Sequence, residues 1–290
     1  MESFATYVKN LEALFDSASR VDGERIPAPE RPALSEDAPL AVLFSPHPDD
    51  EILTGGLPLR LRKEAGWRVR NVSVTLGSNP ERREERANEM AAACEWIGFE
   101  HQIADDGKAL HSIQMHMRRD QPHHWTHAVG VIGRLLHDLR PDLLVFPHSL
   151  DAHPTHIGLN ALVRHAMLRT GKENTYLCLE TEFWSPMEQP NLLVESSPDD
   201  VTELVTALTR HTGEIARNPY HLRLPAWLMD NVRRAGELMA GNGQPPPRFL
   251  FATPYRLRRW HNARYEDAVK EATFMSSADK VVVWSRCHQA

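Results

Sequence analysis

The sequence predicts an α/β protein: a Rossmann-like, mostly parallel sheet with helices on both faces, followed by a largely helical C-terminal elaboration. Three observations carry that expectation. Apolar runs alternate with segments of helical period between residues 40 and 185, the pattern of a parallel sheet wound with helices. The first of these runs, LAVLFS at 40–45, is short, apolar and bounded by proline, as a strand covered on both sides should be. Beyond Pro198 the rhythm changes and helical segments dominate. A chain of 290 residues, 41% hydrophobic and 25% charged, has the composition of an ordinary globular protein. It has room for two domains or one large α/β unit with an appendage.

Taken in order, residues 3–18 place Phe4, Tyr7, Val8, Leu11, Leu14 and Phe15 at intervals of three and four, which predicts a helix that docks through one apolar stripe. Pro27, Pro29, Pro32 and Pro39 then impose an extended connector, so residues 1–39 form a helix and a linker. The core is expected over 40–197. It comprises strands at 40–45, 68–76, 99–103, 142–146 and 175–181, and helices at 50–65, 81–97, 123–139 and 154–169. Residues 198–290 read as helices near 199–217 and 225–240, a flexible GNGQPPP at 241–247, and a last strand candidate, KVVVWSR. This segment is expected to pack on the core as a lid or an oligomer surface.

Charge excludes one class of function. Lys and Arg total 33 against 39 Asp and Glu, a net charge of −6, and such a chain offers no basic field to draw it to nucleic acid. The three cysteines, Cys94, Cys178 and Cys287, show no metal or redox spacing. With no leader-like segment and no long apolar run, they read as free thiols in the cytoplasm.

Chemistry concentrates at two strand ends. Ser45-Pro46-His47-Pro48-Asp49-Asp50-Glu51 follows the first strand, where open α/β sheets place ligands. One imidazole and three carboxylates there offer ligands for a divalent ion and a spare base. His47 and Asp50 can face one ion while Asp49 points at the adjacent space. Alone, the segment reads equally as an acidic helix start suited to the helix dipole. The second cluster, Pro147-His148-Ser149-Leu150-Asp151-Ala152-His153-Pro154-Thr155-His156, again follows a strand and opens a helix. Its spacing lets His156 turn toward a metal while His153 reaches across the pocket, and two histidines plus a carboxylate make a common catalytic zinc set.

Other residues carry weaker signals. Arg82, Arg83 and Arg86 can hold a phosphate or an anionic sugar, or form a solvated face paired with the intervening acids. Glu182 and Trp184 suit a sugar, through hydroxyl binding and ring stacking, although Trp184 reads equally as packing. His123, His124 and His127 read as a surface helix. The basic and aromatic run Arg256-Leu257-Arg258-Arg259-Trp260 reads as surface.

PHPDDE near the start of the sheet and HPTH a hundred residues later resemble the PIG-L / LmbE family of zinc-dependent N-acetylglucosaminyl deacetylases. Gly55-Gly56, the strand end Val74-Thr75-Leu76, and a helix running from Arg86-Ala87-Asn88-Glu89 to Ile97-Gly98 support the likeness, which covers about residues 40–185. The resemblance implies an LmbE-like fold with one metal per chain, zinc with iron or cobalt as alternatives, held by His47, Asp50 and His156. It makes Asp49 the general base and His153 the group that steadies the tetrahedral intermediate or protonates the departing amine. The implied reaction is hydrolysis of an N-acetylated amino sugar of the glucosamine type, or its conjugate, with no nucleic acid and no membrane span. Thr155 departs from the family's usual HPDH, which puts the strength of the general acid in doubt. A homo-oligomer is an open expectation. Two rivals stand beside this reading: a non-catalytic sugar-binding protein on the same fold, and a metallophosphoesterase, which requires ligands for two ions.

Overall fold

The computed structural model describes residues 3–171, 174–241, 243–269 and 271–281; the strand candidate at 280–286 lies almost wholly outside them. Strands β1 (Leu40–Ser45), β2 (Arg68–Ser73), β3 (Glu100–Ile103), β4 (Leu143–Pro147) and β5 (Tyr176–Thr181) pair in parallel in the spatial order β3–β2–β1–β4–β5. Every residue of β1, β4 and β5 is buried. Because side chains alternate across a strand, Ala41 and Leu43 enter one apolar layer while Leu40, Val42 and Phe44 enter the other. A run apolar at every position is therefore what a strand between two helical layers requires, and each fully buried aliphatic side chain contributes about 1.5–3 kcal/mol.

Helix α1 (Phe4–Ala18) forms as its period predicts and is capped by Ser3. It does not dock: none of its residues is buried, and Phe4 is 90% exposed. Periodicity reports which residues share a face, not what covers that face. The connector is the part that is pinned. The Trp96 indole N–H donates to the Ile26 carbonyl, the Arg62 guanidinium donates to that of Pro32, and Arg31 pairs with Glu203.

The predicted helix at 50–65 is two helices, α2 (Asp50–Leu53) and α3 (Gly56–Glu64). The break has a steric cause. Gly55 takes φ +84°, and a Cβ there would lie 2.2 Å from Thr253 Oγ1. The buried Tyr255 hydroxyl fastens the corner, donating to the Thr54 carbonyl at 2.6 Å and accepting the Leu57 N–H at 3.2 Å. Helix α4 (Arg83–Ile97), ended by Gly98, packs on the α3 side of the sheet. The short α5 (Met117–Asp120), α6 (Pro122–Leu139) and α7 (Pro154–Arg169) fill the opposite layer.

After β5 come β6 (Leu192–Glu195), α8 (Pro198–Leu208), α9 (Thr212–Arg217) and α10 (Tyr220–Ala240). The helical expectation holds that far and no further. Strand β7 (Ala252–His261) inserts antiparallel between β5 and β6, β8 (Arg264–Asp267) pairs with β7, and β9 (Thr273–Met275) pairs parallel with β6. The C-terminal segment thus completes the same sheet. The run read as basic surface lies in β7, where Leu257 and Trp260 are buried and Arg258 pairs with Glu180. Among the described residues, no helix is long and apolar enough to cross a membrane.

Candidate active site

The carboxyl ends of the parallel strands converge on one cavity of about 1000 Å³. Each strand delivers a different part, as the topology of an open α/β sheet requires. The corner after β1 brings His47, Asp49 and Asp50; the loop after β4 brings His153; and the segment after β5 brings Phe183 and Trp184. The loops after β2 and β3 add Ser78, His111 and His116, and the C-terminal part adds Glu214, Arg217, Tyr220 and Trp227. Nothing in the sequence reading gave those last residues a role.

Three donor atoms meet beside this cavity. His47 Nδ1 lies 3.3 Å from Asp50 Oδ2, His156 Nε2 lies 3.4 Å from the same oxygen, and the two ring nitrogens are 3.3 Å apart. A tetrahedral ion with bonds of about 2.0–2.1 Å holds its ligand atoms about 3.3–3.4 Å apart. The triangle therefore fits one ion, with a fourth position left for water or substrate. Burial keeps the imidazoles neutral and ready to ligate. It pushes His47 down to about 4 against the pull of Asp49, and His156 down to about 2 with help from His47 and His153. His156 Nδ1 has no hydrogen-bond partner, and Asp151 Oδ1 lies 3.7 Å from it, the arrangement of a carboxylate behind a ligating histidine.

His47, His153 and His156 also form a group with one ligand atom each within 4.8 Å of one another. The hydrogen bonding separates their roles. His153 caps α7, and its Nδ1 accepts the Thr155 backbone N–H at 3.3 Å. A lone pair at Nδ1 places the proton of the neutral ring on Nε2, so in this hydrogen-bonded arrangement His153 presents a donor at Nε2. Burial and the neighbouring His47 hold it below its ordinary pKa, against the pull of Asp151. Both trios share His47 and His156, so any ion held here lies between these two rings.

Asp49 sits between α2 and the cavity in a conformation few non-glycine residues adopt, with φ 103°. Such an outlier persists only where its surroundings dictate it, and here they do. Its N–H donates to Glu51 Oε2 at 2.9 Å, while Glu51 Oε1 holds His211 Nε2 at 2.7 Å; both partners are fully buried. Arg86 Nη2 donates to the Pro48 carbonyl at 2.8 Å and lies 3.9 Å from Asp49 Oδ1. Burial, reinforced by Asp50, pushes the Asp49 carboxyl up to about 8 against His211 and Arg86, and burial also raises Asp50.

The expected substrate contacts divide. Trp184 is 58% exposed at the cavity wall, its ring 5.8 Å from that of His153. Arg86 reaches the cavity but is engaged with Pro48 and Glu214. Glu182 lies elsewhere: it is buried, pairs with Arg234, accepts the Met187 N–H, and does not line the cavity. Glu182 and Trp184 both lie past the end of β5, where strand alternation no longer holds positions i and i+2 to one side. Asp151, given no role above, accepts the N–H groups of His153 and Trp184 at 2.8 and 3.1 Å. Its signal was local, a carboxylate two residues before a capping histidine.

The fold and site define an α/β protein with a constellation able to hold an ion at the carboxyl ends of its strands. Residues 42–167, which include both motifs, match the family model of PIG-L, GlcNAc-PI de-N-acetylase. No curated protein matches in sequence. Among solved structures, the zinc-inhibited form of teicoplanin deacetylase Orf2 is 15% identical with TM-score 0.54, over 79% of this chain and 100% of that one. The N,N'-diacetylchitobiose deacetylase from Pyrococcus horikoshii is 15% identical with TM-score 0.53, over 89% and 93%. GalB, the 4-carboxy-2-hydroxymuconate hydratase from Pseudomonas putida, is 13% identical with TM-score 0.52, over 76% and 95%. At such identities the likeness is one of fold, and the fold also carries a hydratase.

Proposed function

We propose that this protein is a metal-dependent N-deacetylase acting on an N-acetylated amino sugar of the glucosamine type or its conjugate. The observation that carries the reading is the 3.3–3.4 Å triangle of His47 Nδ1, Asp50 Oδ2 and His156 Nε2 beside a strained, buried Asp49. The donor set suits zinc, with iron or cobalt as alternatives. A divalent ion bound there supplies Lewis acidity toward the acyl carbonyl and acidifies water at neutral pH.

The chain's own groups supply the rest. Asp49 takes a proton from the attacking water. Its carboxyl, moved toward neutrality by burial, then returns that proton to the departing nitrogen, as a base and acid matched to its working pH can. His153 donates its Nε2–H to the oxygen of the tetrahedral intermediate. Trp184 offers a face for a pyranose ring. With Cys94 and Cys178 buried as free thiols, the reading assigns the enzyme to the cytoplasm.

The test combines elemental analysis with acetate release from a panel of N-acetyl amino sugars. The expected result is about one ion per chain in the wild type and little in His156→Ala. Asp49→Asn should keep its ion and lose on the order of 10²–10⁴ in turnover. Two ions per chain would favour a phosphoesterase. Full turnover in Asp49→Asn would remove the central step.

A further inference from the structure

The apolar stripe of helix α1 is left open by the described residues. Phe4, Tyr7, Val8, Leu11, Leu14 and Phe15 are all exposed, from 43% at Phe15 to 90% at Phe4. A 15-residue helix is marginal in water on its own, and in proteins the packing of its apolar face supplies most of its stability. The mount of this helix is nevertheless fixed. Gly23 lies so close to α8 that a Cβ there would come within 2.3 Å of Thr209 Oγ1. The Ile26 carbonyl accepts from the Trp96 indole at 3.0 Å and from Arg210 at 2.8 Å. A stripe projecting from a rigid base loses less freedom on docking than one carried on a loose tail.

Charge, shape and area name the occupant. Written as a heptad, Phe4, Leu11 and Ala18 take position a, Tyr7 and Leu14 take d, and Val8 and Phe15 take e. The other flank, position g, is Ser3, Asn10 and Ser17, while Lys9, Glu12 and Asp16 fall at b and f on the far side. Two copies can therefore meet along the stripe without opposing like charges. One cation and two anions on the polar face are the reverse of the basic face that holds an interfacial helix on an anionic membrane. In an antiparallel pair, with Leu11 against Leu14 of the other copy, the large Tyr7 meets the small Ala18. Phe4 then meets Val21, which is 62% exposed just past the helix end. Side chains of this size and exposure present roughly 600 Å² per chain, so a pair buries roughly 1,200 Å², the lower end of a standard specific interface.

We infer that α1 pairs antiparallel with α1 of a second copy of this chain, and that the protein forms a dimer joined through its N-terminal helices. The stripe that the helical period sets for docking then docks on another molecule and not on its own core. This is independent of the reaction proposed above.

The test is sedimentation velocity of the full chain between about 0.1 and 100 μM, the range that brackets a small standard interface. The mass should rise from one chain to two. Leu11→Asp and Leu14→Asp should each weaken the dimer about tenfold or more while leaving Tm in place, because α1 buries nothing on its own body. Leu168→Asp, at a leucine on α7 that is 48% exposed, should associate as the wild type does. Amide hydrogen exchange in residues 8–18 should slow as the wild type is concentrated and stay fast in Leu11→Asp. Mixed Leu11→Cys and Leu14→Cys chains should cross-link on oxidation more readily than either variant alone, whereas efficient cross-linking of Leu11→Cys by itself would overturn the antiparallel arrangement. A monomer at every concentration would overturn the proposal. An assembly of unchanged size in Leu11→Asp would do so too, by placing the contact elsewhere. Binding of a monomeric chain to phosphatidylcholine–phosphatidylglycerol vesicles, lost in Leu11→Asp, would give the stripe to a membrane and overturn it equally.

Discussion

Loading the site with zinc should expel protons, and the number released tests the assignment of Asp49 directly. Without a cation beside it, burial and Asp50 hold the Asp49 carboxyl at about 8 against an ordinary 3.8, which disfavours its ionised form by roughly 6 kcal/mol. At pH 7 such a group is about nine-tenths protonated, and at pH 9 about one-tenth. A cation on His47, Asp50 and His156 favours the carboxylate one residue away, so binding should release about 0.9 proton from Asp49 at pH 7 and about 0.1 at pH 9. Asp50, raised by burial in the same direction, adds up to one more. The two imidazoles, pushed down to about 4 and about 2, add almost none. Calorimetry of zinc binding in buffers of different ionisation enthalpy measures the release. Asp49→Asn should lower it by about 0.9 at pH 7 and change it little at pH 9. Equal release by wild type and variant at pH 7 would refute both the protonated state of Asp49 and its coupling to the ion.

Other outcomes follow from the same geometry. Tyr255→Phe strands the Leu57 N–H and Thr54 carbonyl in a fully buried corner and should cost roughly 2–4 kcal/mol in urea unfolding. Glu182→Ala leaves Arg234 unpaired and should destabilise by roughly 2–4 kcal/mol without raising KM, whereas Trp184→Ala should raise KM at unchanged Tm. His211 is held above its ordinary value because Glu51 and the hydrogen bond to it outweigh burial. Its contribution is therefore complete below about pH 6.5 and lost as pH rises through the folded value, so the stability gap to His211→Gln should narrow as pH is raised above about 6.5. Deleting residues 1–19 removes a helix that buries nothing and should leave Tm within about 2 °C.

The parallel half of the fold is legible because its signals are local. LAVLFS and DLLVF are apolar at nearly every position, and no other setting accommodates such runs between helical segments. The antiparallel half hides its strands. β7 carries Pro254, which argues against a central strand, and its arginines look solvated until Glu180 appears opposite Arg258. That partner is 78 residues away in sequence, where no window could pair them. The site divides the same way. The candidate ligands are legible from two strand-end motifs, while Glu214, Tyr220 and Trp227 reach the cavity only through the packing of α9 and α10. Glu51 is an intermediate case. Its sequence position suggests only a helix-start acid, and its role in holding Asp49 depends on His211, 160 residues on.

Thr155 ties these observations together. A carboxylate near the Nδ1 of a pocket histidine accepts the ring proton and steadies the imidazolium. Here Pro154 occupies the first position of α7 and has no N–H, so the first free amide of the helix is that of Thr155, and it donates to His153 Nδ1. Protonating His153 would turn that bond into a clash of two donors. The ring is therefore fixed as a neutral Nε2–H donor, suited to an oxyanion and unsuited to giving up a proton. Under the proposed reaction the acid role falls to the first motif, where burial, Asp50 and the charge of Glu51 push Asp49 up to about 8 against His211 and Arg86. The proposed reaction thus divides between the motifs, with the oxyanion donor in the second and the proton carrier in the first.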